Sequence, residues 1–358
     1  MGIEEREIHF CSDGVGLTPA EYARLLVGLA DDTRIEADEF SLGGIVELLE
    51  ARMAELLGKE RAVFMPSGTL ANQLAVRLLA RRGRRVLVQA DSHLYCDSGD
   101  CVQHLSGLTL VPLAAGRTSF TLDEVVAAIA RAEEGRVRTP IGAISIESPV
   151  RRRRGEVFDA VEMQRITSFA RERGIGLHLD GARLFLATPY TGLAPAAYAG
   201  LFDTVYVSLY KYFNAAGGAI LAGPSHLLDG LYHQRRMFGG GLRQAWPYAA
   251  VALHYLEGFP ERFAEAAAMA DELLLSVAEH PCVEIVRSPA STNVSRLRIR
   301  GSKAALLVER LAARGITIRQ PLSVSSECAE FELVLNETIR RRPIAQTIAD
   351  FSLAIRSG

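Results

Sequence analysis

The feature that most constrains this chain is a rhythm between Arg61 and Ala222, where short apolar runs alternate with segments whose apolar residues recur at helical spacing. Arg61 to Met65, Arg85 to Gln89, Ile141 to Ile146, Ile175 to Leu179, Thr204 to Ser208 and Ala219 to Ala222 are short and apolar, as doubly covered strands are. Leu70, Leu74 and Leu78, with Ala71 and Ala75, mark a helix that Ser67 or Thr69 can cap after Pro66. Phe158 to Arg173 reads as a crossover helix stopped by Gly174. Such alternation predicts βα units around a mostly parallel sheet, with function at the strand ends.

After about Gly258 the texture changes to a long Ala/Leu/Glu-rich helix from Glu261 to about Glu279. Strand-like runs follow at Cys282 to Val286, Val294 to Ile299, Ile316 to Arg319 and Phe331 to Leu335, with helices near Lys303 to Arg314 and after Pro343. The expected organisation is a large domain over residues 41–258 and a small α+β domain over 259–358. Residues 1–40 lack a core of their own and are expected to pack on a domain or on a neighbouring subunit.

A chain of 358 residues has room to enclose a small molecule between such domains. A formal net charge of −2 removes the electrostatic case for nucleic acid or an anionic membrane as main partner. The cysteines Cys11, Cys96, Cys101, Cys282 and Cys328 are scattered and odd in number, which points to a reducing, cytoplasmic setting. No second close pair or His cluster accompanies Cys96 and Cys101, so no metal site is expected, and Cys96 is expected to be a buried thiol. Met1 to Phe10 lacks the apolar run of a secretion signal, and no stretch is long and apolar enough for a membrane span. Arg151 to Arg154 form a run of four arginines, either a solvated loop or an anion site.

Rossmann, P-loop, zincin and hydrolase-elbow motifs are missing from the sequence. Pro66-Ser67-Gly68-Thr69 places small residues at a helix N-terminus, where free N–H groups and two hydroxyls suit a phosphate, although the same residues also make a plain capped helix. His178-Leu179-Asp180-Gly181-Ala182-Arg183 puts a carboxylate at a strand end, where it could hold a pyridine nitrogen protonated or simply pair with Arg183. In Val207-Ser208-Leu209-Tyr210-Lys211-Tyr212-Phe213-Asn214 a lysine follows a strand among aromatic residues. Partial desolvation would make its amine a nucleophile toward an aldehyde, whereas a solvated lysine would do nothing. Asp180 and Lys211 are 211 − 180 = 31 residues apart, enough for a helix and a returning strand.

In this order the three segments resemble those of the fold-type-I pyridoxal-phosphate enzymes of the threonine aldolase and β-eliminating lyase family, from about Ser12 to Tyr255. The resemblance implies an α/β fold with a mixed, mostly parallel seven-stranded sheet and a smaller α+β C-terminal domain. It implies pyridoxal 5'-phosphate bound through its phosphate by Ser67, Gly68 and Thr69, with Ser208 near the phosphate, His93 of Asp91-Ser92-His93 stacked on the ring and Asp180 at the ring nitrogen. Lys211 would carry the cofactor as a Schiff base, Arg183 would lie near the phenolic oxygen and the substrate carboxylate, and Ser12 and Arg243 would contribute to binding that carboxylate.

Three residues depart from the family's pattern. Phe40 stands where the family has a tyrosine, Val150 stands where the aldolases have a histidine in Glu-Asn-Thr-His, and Glu332 stands where a carboxylate-binding arginine belongs. The implied activity is aldolase-like cleavage of a β-hydroxy-α-amino acid to glycine and an aldehyde, with Lys211, His93 and Asp180 catalytic. Alternatives are β-elimination, racemisation or transamination with the same cofactor, and a cofactor-binding protein without turnover. A homodimer or homotetramer acting on a small amino acid is expected.

Overall fold

The computed structural model describes residues 7–32, 35–80, 83–134, 136–301 and 304–356. The chain divides into two compact units, Pro19–His254 and a second made of Met1–Thr18 with Tyr255–Gly358.

The first unit is built on a seven-stranded sheet in the order Arg61–Met65, Ala219–Gly223, Thr204–Ser208, Gly176–Asp180, Ile141–Glu147, Arg85–Gln89 and Thr109–Leu113. Every neighbouring pair is parallel except the two made by Ala219–Gly223, which runs against both its partners. Thr204–Ser208 and Ala219–Gly223 are buried at every position, as continuous apolar composition requires of strands covered on both faces. The helix Gly68–Ala80 lies on the sheet through Ala71, Leu74 and Ala75, which form one core with Val63, Met65, Tyr206 and Leu221. The crossover helix is Ala160–Glu172, with the Asp159 carboxylate accepting from the Glu162 amide at 2.8 Å. It ends at Gly174, whose φ of 65° suits glycine.

The edge strand Thr109–Leu113 carries Pro112, which central strands exclude because it cannot donate to the ladder. The N-terminal helix Pro19–Asp32 also belongs to this unit. Its Tyr22 hydroxyl accepts from the Ala216 amide at 3.2 Å and donates to the Pro247 carbonyl at 3.3 Å.

The second unit has an antiparallel sheet ordered Ser323–Val324, Cys328–Val334, Val294–Arg300 and Val283–Val286, with the long helix Phe259–Ala278 and the last helix Ile344–Arg356. Leu297, Phe331, Leu273 and Phe351 meet in its core. Ile8–His9 pairs in parallel with Ile316–Thr317, so this segment is a strand of the second unit. The helix expected near Lys303 to Arg314 is a short one, Leu307–Ala312, preceded by a 3-10 turn over Ala304–Leu306; Lys303 itself lies outside the described residues. Glu332 pairs with Arg319 at 2.9 Å, and Arg319 also donates to the Cys11 carbonyl at 2.5 Å, so this acid has its own cation within the unit.

The helix Gly68–Ala80 sits close over the sheet because glycines lie beneath its end. A Cβ on Gly142 would run into the Ala80 carbonyl, and one on Gly176 would come within 2.7 Å of the Leu79 Cβ. Backbone atoms cannot move aside as a flexible side chain can. Gly142→Ala is therefore expected to destabilise the protein by about 1–3 kcal/mol, the usual cost of overpacking, read as a lower urea midpoint at an unchanged slope.

Candidate active site

A cavity of about 370 Å³ opens where the central strands end, and its wall includes Ser67, Gly68, Thr69, His93, Asp180, Arg183 and Lys211. That size falls in the range of small-molecule sites. Three segments far apart in sequence thus meet on one wall, because parallel strands deliver their C-terminal ends to the same edge of a sheet.

Ser67 caps the helix on that wall. Its hydroxyl accepts from the Leu70 amide at 3.3 Å and its carbonyl from the Ala71 amide at 3.1 Å. The amides of Gly68 and Thr69 precede the first intrahelical bond, so a helix start with two small residues offers donors to an anion. A Cβ on Gly68 would collide with the Tyr206 hydroxyl, so only glycine lets the turn settle against the strand Thr204–Ser208.

Asp180 ends its strand with only 3% exposure. Burying a carboxylate costs several kcal/mol unless its oxygens are satisfied. The Asn72 amide group donates to one oxygen at 2.5 Å and the Ala182 amide to the other at 3.2 Å. Since Asn72 gives its N–H to Asp180, its oxygen accepts from Nε2–H of His178 at 2.9 Å, and Nδ1 of His178 accepts from the Thr204 hydroxyl at 2.9 Å. Both ring nitrogens of His178 are committed to its neutral form, and burial pushes its pKa down to about 4.

His93 opens the short helix His93–Cys96. Its amide donates to Glu147 Oε2 at 2.6 Å, and the Arg151 amide donates to Glu147 Oε1 at 2.8 Å. Glu147 is the register partner of Asp180 on the adjacent strand, and burial together with the Asp180 charge raises its pKa. The His93 pKa is lowered, chiefly by burial and also by Lys211, while Asp180 acts the other way. The Ser98 hydroxyl donates to the His93 carbonyl at 3.0 Å and lies 3.3 Å from Nδ1. A hydroxyl that has given its hydrogen away can only accept, so Nδ1 carries the proton and Nε2 keeps its lone pair.

Lys211 follows the strand Thr204–Ser208 after Leu209 and Tyr210, with its amine 5.8 Å from the Tyr210 ring centre. Arg183 sits at the start of the helix Leu184–Thr191 and contributes electrostatically to Glu147. Ser208 and Arg243 lie off this wall. Ser208 is fully buried, and Arg243 pairs with Glu39 at 2.5 Å on the surface, its guanidinium 5.2 Å from the Phe40 ring centre. Ser12 belongs to the other unit, where its hydroxyl donates to the Gly14 carbonyl at 3.3 Å. Cys96, expected to be buried, is exposed, because Leu94 is the one buried residue of its short helix.

Glu147 and Asn72 complete the site without having been singled out as site residues in the sequence, and Arg151 was weighed there only within the arginine run. Asn72 gave no signal, since only the closeness of helix and sheet brings it to Asp180. Glu147 had one, because it ends an apolar strand just as Asp180 does.

The beta-eliminating lyase family model matches residues 30–300. The chain belongs to the beta-eliminating lyase family. Among family relatives, the low-specificity L-threonine aldolase of Candida albicans is 31% identical over 212 residues, 58% of this chain and 56% of that protein. The low specificity L-threonine aldolase of Escherichia coli K12 is 30% identical over 278 residues, 76% of this chain and 80% of that protein. Over the first of these the match thus spans little more than half the relative's length. A crystal structure from Exiguobacterium sp. 255-15, assigned as an aromatic amino acid beta-eliminating lyase/threonine aldolase, superposes with a TM-score of 0.83 at 28% identity, covering 99% of this chain and 98% of that one. The expected α/β fold, with its mixed seven-stranded sheet and smaller C-terminal unit, is the one observed.

The His178 arrangement has a measurable consequence. The folded state keeps this ring neutral down to about pH 4, whereas the unfolded chain takes up a proton near the ordinary histidine value of 6.5. Stability is therefore full above pH 6.5 and falls as pH drops from 6.5 toward 4, by a few kcal/mol at most (about 3) from this group. Urea unfolding at pH 7 and at pH 4.5 should show His178→Gln less stable than the parent at pH 7, with the gap narrowing in acid. A gap independent of pH would contradict this account.

Proposed function

We propose that the chain is a pyridoxal-phosphate enzyme that cleaves β-hydroxy-α-amino acids to glycine and an aldehyde. The observation that carries this reading is the meeting of Lys211, Asp180, His93 and the helix start at Gly68 on one cavity. Its donor set fits the cofactor group by group: amides and hydroxyls of Ser67, Gly68 and Thr69 for a phosphate, a buried carboxylate for a ring N–H, and an amine for an aldehyde. Bound there, the cofactor supplies an electron-poor ring that accepts the electron pair of a bond broken at the α-carbon.

The protein's part is to bind, orient and move protons. Lys211 holds the cofactor by its ε-amino group. Asp180, its oxygens held by the Asn72 and Ala182 donors, would meet the protonated ring nitrogen. Arg183 meets the substrate carboxylate from the same wall. His93 is the base for the β-hydroxyl proton: burial favours its neutral form, and Ser98 leaves Nε2 free to accept. Val150, in place of the aldolases' histidine, is fully buried with its amide bonded to the Glu156 carbonyl, and it is not part of the wall, which leaves the proton to His93. Assembly as a homodimer or homotetramer belongs to this reading and is checked by light scattering.

Purified protein given the cofactor and then threonine, phenylserine or a β-substituted alanine should release glycine and aldehyde from the first two. Pyruvate from the third, without glycine from the others, would assign β-elimination instead. Lys211→Ala should abolish turnover and the borohydride-fixed label, and His93→Asn should lower kcat by about 100-fold or more. A label on another lysine would overturn the assignment.

A further inference from the structure

After Glu147 the chain turns through Ser148, Pro149 and Val150 into the arginine run. Of the four arginines, Arg151 is the one on the cavity wall, with Lys211, Asp180 and Arg183. Its place is fixed from behind, since its amide donates to the buried Glu147 carboxylate at 2.8 Å.

Its guanidinium is poorly neutralised. The nearest acid, Asp97, has both oxygens taken by Arg152 at 3.0 and 2.6 Å, and Arg151 reaches that carboxylate only at 3.6 Å. Arg153 is held by Asp91 at 3.8 Å. The wall itself carries three cationic side chains, Arg151, Arg183 and Lys211, against two carboxyl groups, Glu147 and Asp180. Burial and the neighbouring Asp180 charge push the Glu147 pKa up, which weakens it further as a counter-charge. On the proposed function Asp180 serves the ring, Lys211 is consumed in holding the cofactor and Arg183 takes the α-carboxylate. Arg151 is then the cation on this wall without a role in that reading, and its acid, Asp97 at 3.6 Å, is shared with Arg152.

We propose that Arg151 is a specificity-determining residue that binds a second carboxylate, so that the preferred substrates are β-hydroxy-α-amino acids with an acidic side chain, of the β-hydroxyaspartate type. This rests on the aldolase reading above. The Cα–Cβ bond breaks, the β-hydroxyl proton passes to His93 and Cα gains a proton. The products are glycine and an aldehyde bearing the second carboxylate, with no oxidant or reductant consumed. The Arg151 side chain is 56% exposed, so solvent screening holds its expected effect to about tenfold rather than thousands.

The test separates binding from cleavage. The holoenzyme is titrated with aspartate and with asparagine, which match in shape and differ in charge, following the cofactor absorbance band. Aspartate should bind about tenfold tighter. Arg151→Gln should bring the ratio near one, and Arg151→Lys, which keeps the charge, should restore part of it. Equal affinities in the parent, a ratio that survives Arg151→Gln, or a variant that loses cofactor affinity at an unchanged ratio would each overturn the proposal. Glycine release is assayed in parallel from β-hydroxyaspartate and threonine. If aspartate is preferred but neither substrate yields glycine, the aldolase reading fails and the acid-binding role of Arg151 stands. If glycine comes equally from both and the affinities are equal, the reverse holds.

Discussion

The structure turns on one buried charge. Asp180 is almost wholly removed from water, and a carboxylate in such a place costs several kcal/mol unless its oxygens are hydrogen-bonded. What keeps it useful is a chain of neutral donors running from Thr204 through His178 and Asn72 to its outer oxygen. That chain spans two neighbouring strands and the helix over them, so the polar groups of the site and the packing of the first unit hold each other in place. A half-satisfied network would be worse than an apolar core, and the linked members are satisfied through good geometry.

A second acid stands beside the first for a different purpose. Glu147 accepts two main-chain amides, one from the residue that begins the His93 helix and one from the residue that begins the arginine turn. It organises two loops at once, the one that carries the His93 imidazole and the one that carries the Arg151 guanidinium. Adjacent in-register carboxylates divide the labour: Asp180 is held by the Asn72 and Ala182 donors at its strand end, whereas Glu147 fixes the loops beside it.

Much of this was legible in the sequence where burial is complete and local signals agree. Arg61–Met65, Arg85–Gln89 and Thr204–Ser208 fall where their apolar runs place them, since strands covered on both faces show no competing polar pattern. Thr109–Leu113 escaped because an edge strand tolerates Pro112 and half-exposed positions, which read as loop. Lys211, Asp180, His93 and the Ser67–Thr69 turn were legible as candidates because each sits at the end of a recognisable strand. Asn72 was not, being one helical residue among many until the helix is laid on the sheet. The pairing of Arg243 with Glu39 was equally hidden, since 204 residues separate them and neither lies in a periodic segment.

The glycines under the end of the helix Gly68–Ala80 have a consequence for how such a site can diversify. Gly142 and Gly176 let the end of this helix rest almost directly on the strands, so the height of the helix over the sheet is set by close backbone approach rather than by interchangeable side chains. Residues around the cavity rim can then differ without altering the separation between the helix start and the strand-end carboxylates. The frame works as a fixed gauge, and selection among ligands is left to the loops mounted on it.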